Sequence, residues 1–471
     1  MDSQEKKPTP ANVDTDSTQA SSTDVADARV KANDEPSQAT DDDQPSSVRP
    51  SQGSRTSSRA SATCRGTQPP TFMTYGAAQS SGVKLYKSYD IKRTFLASMV
   101  VFEVGSLLCG VAPNSKTLVV GRAIAGLGGG ALAVGGYSIV SLTVRPAKRP
   151  MMMGVLGMVY AVAGAIGPLL GGAFTDRVSW RCTRGPTHPW DSSEVIGLLV
   201  GAFVLPIVLI AWEIWLGDYA SMPPRLYKMR SLWAASAFQF FFLGAYIVLL
   251  YYLPIYFQSI KGTSPIQSGV NNLPLVLAAS IFSLVGGTVV MKTGYAMPVM
   301  LSGSMITTVA LGLIYSMDIG TPSSKWIGYQ FFVGAFMSFG IPHGLTVAQA
   351  GVGPEDLPAV TANLLFYQTI GGAFSTSAGQ AGFVNQLLKE LPKTAPSVNP
   401  QQVIETGASE LHNVFPPDVL PGILEAYMVG IKAAFAVALA FSGVAFLFSL
   451  FVPAKKLPSH QNPQDAPVAM G

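Results

Sequence analysis

Charge is what this sequence most lacks. Asp, Glu, Lys and Arg make up 12% of its 471 residues, against about 25% in soluble domains. Three cysteines (Cys64, Cys109, Cys182) cannot build a disulfide framework, and none stands beside a histidine at a metal-ligand spacing. The four histidines, His188, His343, His412 and His460, are scattered, so the clustered base and nucleophile sets of intramembrane enzymes are missing. An enzyme is therefore disfavoured, and no metal, no cofactor and no catalytic residue is expected. No basic, aromatic-interleaved patch marks a nucleic-acid partner. No apolar stretch follows the first methionine, so no secretory leader is read there.

What charge there is collects at one end. Residues 1–80 hold 8 Lys/Arg and 11 Asp/Glu among many Ser, Thr, Ala and Pro. Such a stretch cannot bury enough apolar surface to offset the entropy of ordering it, and residues 1–74 read as a disordered cytoplasmic tail. From residue 94 onward apolar runs alternate with short polar loops. A membrane-crossing helix needs about 20 apolar residues. Ten runs qualify, at 94–112, 117–142, 151–173, 195–215, 232–257, 270–291, 296–317, 326–348, 358–386 and 426–452. The expected fold is an all-α integral membrane helix bundle with the lipid bilayer as its solvent.

Loop charge gives the orientation. Alternate loops beginning before residue 94 carry 13 Lys/Arg and the other set carries 8. The excess assigns the tail and the C-terminal residues 453–471 to the cytoplasm. Residues 387–425 then form one long, proline-rich extracytoplasmic loop.

Several residues stand out within the spans. "TLVVGRAIAGLGGGALAVGGYSIV" contains Gly126 and Gly130 at the spacing that lets helix backbones approach closely in lipid. A guanidinium inside a span costs about 2.5–3.5 kcal/mol. Arg122 in that run therefore either snorkels from the helix end or fixes a positive charge beside a transport path. Glu103, near the middle of the first run, is a proton carrier or a neutral packing residue. His343 and Lys432 are weaker, lone candidates. In "GAIGPLLGGAFTD", Pro168 lacks an N–H and its ring meets the carbonyl of Gly164, so the helix must kink. Gly167, Gly171 and Gly172 strip side chains from either side of that kink. The bend is either static or suited to an interface that slides. Gln330, Gln349, Tyr367 and Gln368 are spare polar groups in later spans, available for packing or for orienting a solute.

"LVVGRAIAGLGGGAL", followed some forty residues later by "GAIGPLLGGAFTD", resembles the major facilitator superfamily. Within it the chain is similar to the fungal fourteen-span drug:proton antiporters, over roughly residues 75–456. The resemblance implies that Arg122 and Gly126 match the family's fourth span, linked there to proton coupling. It likewise implies that Gly164, Gly167, Pro168, Gly171 and Gly172 belong to the antiporter signature of the fifth, with Ala163 a departure from it. No equivalent of the family's first span is found. "FMTYGAAQSSGVKLYKSYDIK", where the second should be, is too short and polar to cross a bilayer by hydropathy. Two further spans are missing after "VSWR". Ten of fourteen spans survive, as a partial N-terminal bundle with a linker span (75–230) and a C-terminal bundle (231–452). The implied function is proton-coupled efflux of a small amphipathic drug, toxin or secondary metabolite by a monomer in the plasma membrane or the vacuolar membrane. The alternative is a truncated, non-transporting relative of such an exporter.

Overall fold

The computed structural model describes residues 68–112, 115–159, 162–163, 215, 224–353 and 355–457. Ten helical stretches carry the architecture: α1 Gln68–Ser88, α2 Ile91–Gly110, α3 Ser115–Thr143, α4 at 149–159, α5 Arg230–Ser259, α6 Leu273–Thr293, α7 Met297–Tyr315, α8 Ser323–Gln349, α9 Leu357–Thr394 and α10 Leu420–Ser449. Local chemistry sets many of their ends. Proline occupies the first turn of α6, α7, α9 and α10, where its missing N–H costs nothing. Gly294 closes α6 at φ 74, a left-handed cap that only glycine adopts freely.

Seven helices among the described residues are long and apolar enough to cross a membrane. They cover the expected runs at 94–112, 117–142, 232–257, 270–291, 296–317, 326–348 and 426–452. The run at 151–173 is helical over 151–159 and 162–163, and the rest of it, with the run at 195–215, lies outside the described residues. α9, which covers the expected run at 358–386, and α1 fall outside the apolar set because both carry many small and polar residues. α9 packs on α5, α10 and α1, and α1 packs on α3 and α9. The segment Phe72–Lys92, too polar by hydropathy, thus contributes most of a 21-residue helix beginning at Gln68, inside the stretch read as tail. Its buried face mixes small or polar residues, Gly76, Ala78, Gln79, Ser80 and Gly82, with Val83 and Tyr86.

α5–α10 form a continuous six-helix set whose core runs from Phe238 and Phe242 through Tyr252, Tyr256 and Phe435. Glycine permits the tight crossings. A side chain at Gly371 on α9 would meet the carbonyl oxygen of Phe240 on α5 at 1.9 Å. α1–α3 form a smaller set, in which a side chain at Gly130 of α3 would meet the Tyr75 carbonyl oxygen of α1 at 2.3 Å.

The loops gather at opposite ends in the alternation read from charge. At one end Arg225 pairs with Asp356 at 2.8 Å, Arg230 Nε donates to Phe451 O, and Leu457 N donates to Gly294 O. At the other, Lys261 Nζ donates to the Ile319 and Thr321 carbonyls, His412 Nε2 lies 2.8 Å from Ser259 O, and Lys432 pairs with Asp318. The stretch expected to be a long loop is partly helical: α9 continues to Thr394, and Pro400–Glu405 and Leu411–Val414 are short helices. Val403, Leu411 and Phe415 bury themselves against the six-helix set, so apolar anchoring rather than loop freedom organises this end.

Candidate functional site

A cavity of about 810 Å³ opens where α1–α4 meet the six-helix set. That size suits one drug-sized molecule. α1 contributes Tyr75 and Gln79, and α3 contributes Gly129, Gly136 and Tyr137. The far wall is built by Leu243 and Tyr246 of α5, Ser283 of α6, Met337 and Pro342 of α8, and Gln368 and Thr369 of α9. Most of the wall is apolar, with hydroxyl and amide groups set into it.

Two hydrogen bonds stitch the sides together beside the cavity. Thr369 Oγ1 lies 3.0 Å from Gln79 Oε1, joining α9 to α1. Ser283 Oγ donates to Gly154 O at 2.9 Å, joining α6 to α4. One turn along, a side chain at Gly157 would meet Ser283 Oγ at 2.5 Å and the Pro342 ring at 3.2 Å. The close approach of α4 to α6 and α8 depends on that glycine. Pro342 sits inside α8, and its neighbour His343 is fully buried with Nδ1 2.8 Å from Phe339 O.

Of the described residues singled out in the sequence, Gln368 and Ala163 line the cavity, and Glu103, Arg122, Gly126, Gly130, Gln330, His343, Gln349, Tyr367 and Lys432 do not. Gln349 Nε2 donates to Thr361 Oγ1 at 2.8 Å, a packing role. Gln330 is fully buried, and neither end of its amide finds a partner among the described residues. Tyr367 is half-buried, edge-on to Phe366. Arg122 is half-buried on α3 and makes no ion pair among the described residues. Glu103 is exposed on α2, beside exposed Val104. The structure therefore brings neither charge to the cavity. Gly126 and Gly130 are both buried on α3. Gly164, Gly167, Pro168, Gly171 and Gly172 lie outside the described residues, beyond the helical pair 162–163.

Sequence reasoning missed Gln79 and Tyr75, because their helix fails a hydropathy test. The signal was present in "YGAAQSSG" at 75–82: small residues around a lone amide suit a helix that packs closely on its neighbours.

Outside the spans, the chain's electrostatics concentrate on Asp318. The backbone N–H of Ile319 at 2.9 Å, helped by Lys432 Nζ at 3.1 Å, holds its carboxyl below the usual carboxylate range against a smaller opposing effect of burial. A lowered folded-state value contributes stability above the unfolded carboxylate's pKa of about 3.9, and that contribution is lost as pH falls through the folded value. Asp318→Asn should therefore melt earlier than wild type at pH 7. The difference should vanish under acid conditions that protonate the folded carboxyl, read by thermal unfolding in detergent across pH.

Comparison with known proteins gives the family. The Major Facilitator Superfamily model matches residues 71–376, from within α1 to the middle of α9. The MFS-type transporter thnB of Trichoderma harzianum is 44% identical over 439 residues, covering 80% of this chain and 76% of that protein. The probable efflux pump gsfJ of Penicillium aethiopicum is 38% identical over 442 residues, covering 82% and 80%. Since 80% of a 471-residue chain is far less than 439, about 60 aligned positions of the Trichoderma protein have no residue here. Among solved structures, the E. coli fucose:proton symporter FucP superposes with a TM-score of 0.54 at 14% identity, covering 84% of this chain and 92% of that one. The helical bundle, its apolar spans and these relatives agree: the chain is a multi-span membrane protein belonging to the Major Facilitator Superfamily of transporters.

Proposed function

We propose that the chain exports small amphipathic molecules from the cytoplasm in exchange for protons, as a monomer in the plasma membrane. The observation that carries this reading is the 810 Å³ cavity between α1–α4 and the six-helix set. Transporters of this architecture bind their solute near the midplane, between two halves that rock about it. Gln79 and Gln368 would orient the solute from opposite sides of that seam. The direction of transport is supported by the name efflux pump that gsfJ carries and by the resemblance at residues 118–132 and 164–176.

Arg122 is the group we assign to proton coupling, with Glu103 as a weaker partner. Gly164, Gly167, Pro168, Gly171 and Gly172 would form the flexing seal, and Gly126 and Gly130 would set the helix spacing behind it. Gln330, with both amide ends unsatisfied, is the best further candidate for a solute contact in another conformation. Gln349 and Tyr367 remain second to it. The test is accumulation of labelled metabolites in cells with and without the chain. Expression should lower accumulation, and a protonophore should restore it; accumulation that ignores expression would refute export.

One observation favours the non-transporting alternative. α2 has 17% of its apolar window buried, the lowest share of the seven spans. Together with the roughly 60 absent positions, that bare face fits a partial N-terminal bundle (75–230) beside a complete C-terminal one (231–452). The same accumulation experiment separates the two readings.

A further inference from the structure

The described part of the cavity wall carries no formal charge. Among its described residues there is no Asp, Glu, Lys, Arg or His. Its hydrogen-bonding groups are largely spoken for: Ser283 is bound to Gly154 O, and Ser338 Oγ donates to Ala335 O at 2.7 Å. The two amides differ. Gln79 is 1% exposed, and Thr369 takes one end of it. The other end is left to the cavity it lines. Gln368, next to Thr369 on α9, also lines the cavity and has no hydrogen bond among the described residues.

An ion entering such a space would give up its hydration and meet no countercharge. The aromatic side chains of Tyr75, Tyr137 and Tyr246 in the wall offset part of that loss for a cation, and none of it for an anion. An uncharged ring system loses little water, packs on those side chains, and satisfies an otherwise idle amide. We propose that the transported solute is an uncharged aromatic molecule bearing carbonyl or hydroxyl groups, held by hydrogen bonds from Gln79 of α1 and Gln368 of α9. This deepens the export reading and rests on it.

The test compares Nile red, an uncharged aromatic carbonyl dye, with ethidium, a permanent aromatic cation, in cells expressing the full chain. Cells expressing Gly136→Trp, which fills the cavity, set the background. Nile red should leave faster than background and ethidium should not. Gln79→Leu and Gln368→Leu should each raise the half-saturating Nile red concentration by about fivefold, the loss of one hydrogen bond, with protein abundance checked for both. Ethidium leaving as fast as Nile red would overturn the neutral-solute inference while leaving export intact. Neither dye exceeding background would also overturn it. Failure of the export reading is recognised separately, by the labelled-metabolite experiment, which samples charged and uncharged solutes alike.

Discussion

Gly136→Trp is expected to bring export down to the level of cells lacking the chain, with the protein still folded and present in normal amount. Gly136 lines the cavity, and a β-carbon built there meets no atom within 4 Å. The indole therefore starts into open space that the solute needs. The control lies six residues away on the same helix. Gly130→Ala would drive a methyl group to 2.3 Å from the Tyr75 carbonyl oxygen and push α1 off α3. Overpacking of this kind costs about 1–3 kcal/mol, so that variant should lose melting temperature first and export as a consequence. Export measured beside thermal unfolding separates the two. A Gly136→Trp protein that still pumps would mean that solute does not pass through this cavity.

Arg122→Ala is expected to abolish export while leaving surface abundance unchanged. Arg122 is half-buried in α3, lines no part of the cavity, and has no ion-pair partner among the described residues. A guanidinium held inside a span costs about 2.5–3.5 kcal/mol on insertion scales, so its removal should not harm folding. If the side chain merely snorkels, alanine will export normally. If its charge biases proton occupancy, export is lost, and Arg122→Lys should retain part of it with a shifted pH dependence. Efflux rate against external pH for wild type and both variants reads the difference.

The sequence made the apolar helices easy to read, whether lipid or protein surrounds them, and the polar α1 hard. Runs such as 232–257 and 296–317 are apolar because lipid or apolar neighbours surround them, and they match α5 and α7 closely. α1 packs on α3 and α9 through a face on which Gly76, Gln79 and Gly82 stand beside Val83 and Tyr86, and hydropathy reads it as loop. The same blindness hid half of the candidate site. Gln368 stood out as an amide in an otherwise apolar run, whereas Gln79 sat among serines and looked like solvent-facing sequence. Charge misled in the opposite way. Arg122 and Glu103 were conspicuous because they are costly in a membrane, yet neither reaches the cavity. A conspicuous charge reports a local energetic cost and not its distance from the solute.

Export requires α1–α4 and the six-helix set to part at the seam in every transport cycle, and a disulfide across that seam tests it. A side chain at Gly157 of α4 would lie 3.7 Å from Ser283 Cβ of α6, within the range of about 3.5–4.5 Å that a disulfide requires. Gly157→Cys with Ser283→Cys, in a background without Cys64, Cys109 and Cys182, should bridge under mild oxidation. Efflux should then stop when the bridge forms and return when a reductant opens it. Undiminished efflux from the fully bridged protein would contradict the claim that the halves move apart there.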